Sequence, residues 1–141
     1  MLLTPGPTPV PEFVRKAMAD ITIHHRTPEF EAIFAQTREL LLELYGMDEV
    51  VMLASSGSGA MEACVTNLTK TKALTVNSGK FGERFGKICK AYNIDYTEIK
   101  NEWNTPVSVE AVVNAVKNDS SIDAIFIQLC ESAGGLRHPV E

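Results

Sequence analysis

A short apolar run that dissolves into serines and glycines and then resumes with helical spacing constrains this chain more than any other feature. It is the stretch EVVMLASSGSGAMEACV, from Glu49 to Val65. Residues 50–54 are apolar with β-branched members, which fits a buried strand. Ser55-Ser56-Gly57-Ser58-Gly59 is turn-forming. Residues 60–68 read as a helix, with Ala60, Met61, Cys64, Val65 and Leu68 on one face. A strand that passes through small residues into a helix can hold a phosphate. The first helical N–H groups lack partners and carry partial positive charge, and glycines let the backbone approach an anion. Ser56 and Ser58 would add hydroxyl donors. A plain β–α connection, in which small residues merely close a tight turn, accounts for the same residues, and both readings stand on local grounds. Two familiar phosphate motifs fit poorly. A P-loop needs a lysine directly after its glycines, and none occurs before Lys70. Residues 57–62 offer two glycines of a dinucleotide fingerprint but place Glu62 where the third belongs, and the next strand ends at Asn77 without an acid for a ribose.

The remaining chain alternates strand and helix. Residues 73–77, 95–99 and 123–129 read as strands. Helices are expected over residues 82–92, with Phe85, Ile88 and Cys89 inward, and after Ser108, with Val109, Val112, Val113 and Val116 apolar. Thr27-Pro28-Glu29 is a helix start and Gly46 a stop. Between them Phe30, Ile33, Phe34, Thr37, Leu40, Leu41, Leu44 and Tyr45 form an apolar stripe expected to face a core. Upstream, the proline-rich residues 4–11 are expected to be extended, as a surface arm or a disordered tail, before a short helix carrying Phe13, Val14 and Met18. The pattern argues for an α/β fold with a mostly parallel sheet and flanking helices. In such sheets the loops beyond the carboxyl ends of the strands line the ligand crevice. Ser56 to Gly59, Phe81 and Ser132 all fall on those loops. Locally, Phe81 reads as core, with stacking on a planar ligand as the alternative.

Composition narrows the classes of partner. Net charge is −5 and the 13 basic residues form no long cluster, which argues against nucleic acid or an anionic membrane. No apolar run is long enough to span a bilayer, and the N-terminus lacks the features of a signal peptide. Cys64, Cys89 and Cys130 show no C-x-x-C spacing and read as reduced cytoplasmic thiols. His24-His25-Arg26 reads as a solvated loop in preference to an anion site, and no metal site is expected. Cys130 with His138 as base lacks an orienting acid and is disfavoured as a nucleophilic pair. Residues 136–141 read as the start of a connection in an unfinished βαβ pattern, which suggests a fragment.

Four motifs occur here in a family order: Pro5-Gly6-Pro7-Thr8, His25-Arg26-Thr27-Pro28-Glu29-Phe30, Ser56-Gly57-Ser58-Gly59-Ala60-Met61-Glu62-Ala63 and Asn77-Ser78-Gly79-Lys80-Phe81-Gly82-Glu83-Arg84. In this the chain resembles class V aminotransferases, in particular the serine–pyruvate and alanine–glyoxylate branch, along all of its residues. The resemblance implies an incomplete part of the fold-type I large domain that binds pyridoxal 5′-phosphate (PLP). Residues 1–25 would form an arm and short helix, and residues 26–141 the N-terminal part of that domain. It further implies that Gly57 and Ser58 hold the cofactor phosphate with Ser56 close by, and that Phe81 stacks on the pyridine, reversing the local preference. Ser132 matches a hydroxyl that contacts the cofactor, in a loop reading Glu131-Ser132-Ala133-Gly134-Gly135 where the family has Glu-Thr-Ser-Thr-Gly. Gly6 resembles the arm near the substrate. No catalytic residue carries over, because the family's Schiff-base lysine and pyridine-pairing acid lie beyond the matched region. The expected activity of the intact protein is transfer of an amino group from a small amino acid to a 2-oxo acid such as glyoxylate or pyruvate. The expected state is a cytoplasmic homodimer or higher self-association. A related fold-type I lyase or desulfurase, or a non-catalytic phosphate-ligand or protein-interaction module, are the alternatives. The resemblance also implies that residues 50–54 do not pair with the other three strands.

Overall fold

The computed structural model describes residues 2–140; Met1 and Glu141, which end the expected arm and the expected domain, lie outside them. The chain divides into two compact units, one running to Ala54 and the other starting at Ser55.

The first unit holds α1 (Glu12–Met18) and α2 (Pro28–Tyr45). Helix α2 has the ends its sequence calls for. The Thr27 hydroxyl accepts from the Phe30 N–H at 3.4 Å, Pro28 occupies the first turn, and Gly46 closes the helix in the left-handed region at φ 63°. The apolar stripe behaves differently from expectation. No residue of α2 is buried, and Leu44 is 73% exposed. The local pattern makes the helix, but a core needs a second surface against the stripe, and its own unit supplies none. The expected strand at residues 50–54 is also absent: this segment is irregular, with Val51 exposed. A strand exists only with a hydrogen-bonding neighbour, and none pairs with it among the described residues.

The second unit contains α3 (Gly57–Leu68), β1 (Lys72–Asn77), α4 (Lys80–Ala91), β2 (Asp95–Lys100), α5 (Val109–Asn118), β3 (Ile122–Phe126), β4 (Cys130–Glu131) and β5 (Leu136–Arg137). Three strands form a parallel sheet in the order β2-β1-β3, with Leu74 opposite Thr97 on one side and Ile125 on the other. The central strand β1 is buried from Ala73 to Asn77, as a continuous run between two neighbours should be. Val65 of α3, Ala73, Phe85 and Cys89 of α4, and Phe126 pack together as the core, with the Phe85 and Phe126 rings stacked at 5.5 Å. Strand residues alternate faces, so Ile125 and Ile127 turn the other way and line an apolar groove with Val109, Val112 and Val113 of α5.

Two boundaries differ from the sequence reading in a way that bears on the site. Helix α3 starts at Gly57 instead of residue 60, and α4 at Lys80 instead of residue 82. The glycine stretches are therefore first helical turns, not loops. Strand β3 ends at Phe126, where its ladder with β1 stops at Thr75. Residues 130–137, expected as a loop and the start of a connection, instead fold back as a short antiparallel pair, β4 with β5.

Candidate functional site

The site is built from the first turns of α3 and α4 and from β4, all in the second unit. Ser56 precedes α3 in an extended conformation, and its hydroxyl accepts from the Gly59 N–H at 3.4 Å. The Ala60 N–H donates to the Ser56 carbonyl at 3.1 Å. These bonds leave the N–H groups of Gly57 and Ser58 with no acceptor among the described residues. They are the unsatisfied donors of a helix start, where the partial positive charge concentrates. The space at Gly57 is open, since a Cβ there would meet nothing within 4 Å. At Gly59 a Cβ would collide with the Ser55 hydroxyl, so the turn needs glycine at that point.

The α4 start is capped from far away in sequence. Gly79 offers no side chain to cap the helix. Glu131, fully buried on β4, does so: one carboxylate oxygen accepts from the Phe81 N–H at 3.1 Å and the other from the Gly82 N–H at 2.5 Å. A carboxylate facing a helix N-terminus is held by charge-assisted bonds and by the helix dipole. A Cβ at Gly82 would strike the Val76 carbonyl, so β1, α4 and Glu131 meet here at backbone distance. Beside them the buried end of β1 is tied to the following loop. The Asn101 N–H donates to the Asn77 carbonyl at 2.9 Å, and its side-chain amide donates to the Ser78 hydroxyl at 3.0 Å.

Arg84 joins the two helix starts. Its guanidinium lies 4.8 Å from the centroid of the half-buried Phe81 ring, and one of its N–H groups donates to the Ser58 hydroxyl. Of the residues singled out from sequence, the structure thus links Ser58 to Phe81 through Arg84, with Ser56 and Gly57 in the same turn as Ser58. Ser132 is half-buried and directly follows Glu131, the residue that fixes the Phe81 backbone. Gly6 lies in the first unit, in an exposed stretch. Sequence reasoning gave no role to Glu131 or Arg84. The contact of Glu131 with Phe81 spans fifty residues, and no local pattern announces it. The arginine three residues after Phe81 was a visible signal, because that spacing shares a helix face.

His138 is buried, and its Nδ1 accepts from the Val107 N–H at 3.1 Å. Burial pushes its pKa below the ordinary value near 6.5, against the opposing charge of Glu131. Cys130 is exposed. His24 and His25 are exposed, with their rings stacked at 4.6 Å. Among the described residues no group of three or more His, Cys, Asp or Glu can hold a metal ion.

No protein-family model matches this chain. Individual proteins do. It is 52% identical over 141 residues to an uncharacterized aminotransferase of Helicobacter pylori strain J99, covering all of this chain and 38% of that protein. It is 32% identical over 145 residues to a serine–glyoxylate aminotransferase of Hyphomicrobium methylovorum, covering 99% of this chain and 36% of the relative. The crystal structure of an alanine–glyoxylate aminotransferase from Nostoc superposes with a TM-score of 0.91 at 25% identity, over 99% of this chain and 38% of that one. The chain spans 38% of the length of the first of these relatives, and along nearly all of its own length it is similar to proteins named as aminotransferases.

Proposed function

We propose that the polypeptide to which this chain corresponds is a PLP-dependent aminotransferase, moving an amino group from a small amino acid to a 2-oxo acid such as glyoxylate or pyruvate. The observation that carries this reading is the pair of unclaimed amides at Gly57 and Ser58, in the turn that Arg84 ties to the Phe81 ring. A phosphate needs such donors and a planar pyridine needs such a ring, so the residues present fit the cofactor. The similarity to serine–glyoxylate and alanine–glyoxylate aminotransferases supports the substrate class. PLP, when bound, supplies the electron sink that makes amino-acid bonds labile.

This chain's residues bind and orient. Gly57 and Ser58 receive the phosphate, with Ser56 shaping the turn. Phe81 stacks on the ring, and Ser132 places its hydroxyl beside it. Gly6 is assigned to substrate contact. Residues 1–25 act as an arm, and residues 26–141 form part of the large cofactor domain. The protein works in the cytoplasm as a homodimer or larger assembly; among the described residues no helix is long and apolar enough to cross a membrane.

The test is PLP uptake by the protein expressed from its full reading frame, followed by the absorbance of the bound cofactor near the visible edge. Phe81→Ala and Gly57→Val should each weaken uptake by about tenfold or more, through lost stacking and a blocked amide. Unchanged affinity in both variants would remove these residues from the site.

A further inference from the structure

Arg84 is placed to do more than support the helix that carries it. A serine hydroxyl has one hydrogen and two lone pairs. Because Ser58 accepts from Arg84, its hydrogen remains available for a different acceptor. That hydroxyl belongs to the same turn as the unclaimed amides of Gly57 and Ser58. The guanidinium offers its donors in a rigid fork. Among the described residues Arg84 makes no ion pair, whereas the adjacent Glu83 is engaged by Lys80 at 3.6 Å and Lys87 at 2.6 Å. Its positive charge is therefore left uncompensated beside a helix start that already favours anions. The same guanidinium lies over the half-buried Phe81 ring, 4.8 Å from its centroid, so it also bears on the aromatic proposed to stack on the cofactor.

We propose that Arg84 is a positioning residue of the cofactor site. It commits the Ser58 hydroxyl as a donor to the cofactor's phosphate and holds the Phe81 ring in place against that cradle. One side chain thereby sets the distance between phosphate recognition and ring stacking. This rests on the PLP reading given above.

The test uses two ring compounds without an aldehyde, 4-deoxypyridoxine and its 5′-phosphate. Neither can react with a lysine, and they differ only in the phosphate. Calorimetric titration of the protein from its full reading frame gives the preference for the phosphorylated compound. Arg84→Gln should reduce that preference by about tenfold, the scale of one charge-assisted hydrogen bond. Arg84→Lys, which keeps the charge without the fork, should fall between the two and carries the comparison if the glutamine variant melts early. In a Ser58→Ala background Arg84→Gln should add little, because the two act as one unit. Equal losses for both compounds, fully additive losses, or an unchanged preference would each overturn the role. A wild-type protein that takes up neither compound would overturn the cofactor reading, and this inference with it.

Discussion

Glu131 shows how a single residue decides the geometry of a site. Its carboxylate accepts from two N–H groups at the start of α4, one of them on Phe81, and the residue is fully buried. Glu131→Gln retains one acceptor oxygen but turns an N–H₂ group toward the other amide. The expected cost is roughly 1–3 kcal/mol of stability, read as a lower urea midpoint. His138 supplies a pH dependence. Burial lowers its pKa in the folded protein, so as pH falls through the ordinary value near 6.5 the unfolded chain takes up a proton that the folded chain resists. Stability should therefore be fully present above that value and decline as pH falls below it, as a comparison of pH 7 with pH 5 would read. Urea midpoints at the two ends measure this, and His138→Gln should flatten the difference.

At the scale of elements, capping explains where helices begin. Helix α5 starts at Ser108, whose hydroxyl accepts from the Ala111 N–H at 3.2 Å. Ser108→Ala should cost about 1 kcal/mol, measurable by denaturant unfolding. Helix α4 starts two residues earlier than its sequence suggests because its cap comes from β4. Helices α3 and α4 place their first turns near one another through Arg84, and β1 carries the chain between them. Gly57, Ser58 and Phe81, three of the proposed cofactor residues, therefore lie in first helical turns, which hold geometry better than free loops do, whereas Ser56 and Ser132 lie just outside α3 and β4.

For the whole molecule, the prominent feature is apolar surface without a partner. Phe13 is 74% exposed, Met18 77% and Val51 81%, and both outer strands of the three-stranded sheet, β2 and β3, present an unpaired edge among the described residues. Exposed apolar patches and open strand edges favour association. The 141-residue chain by itself should therefore self-associate, with an apparent mass that rises with concentration in sedimentation. A single monomeric species with a cooperative melt would contradict this.

The helices and their limits were largely legible in the sequence, because their hydrogen bonds and caps connect residues three and four apart: Thr27 opening α2, Gly46 closing it, Ser108 opening α5. The alternation of strand and helix likewise announced a parallel sheet. Local pattern did not decide which apolar stretches were satisfied; the resemblance already implied that residues 50–54 would not pair with the other three strands, and the folded chain leaves them without any ladder among the described residues. Residues 50–54 have strand composition but no ladder, and the stripe of α2 has helical spacing but no core, since both need a surface that local pattern cannot supply. Tertiary structure decided the site's wiring. The bonds from Glu131 to the α4 start and from Arg84 to Ser58 close gaps of fifty and twenty-six residues, and only the packed chain brings those groups within reach.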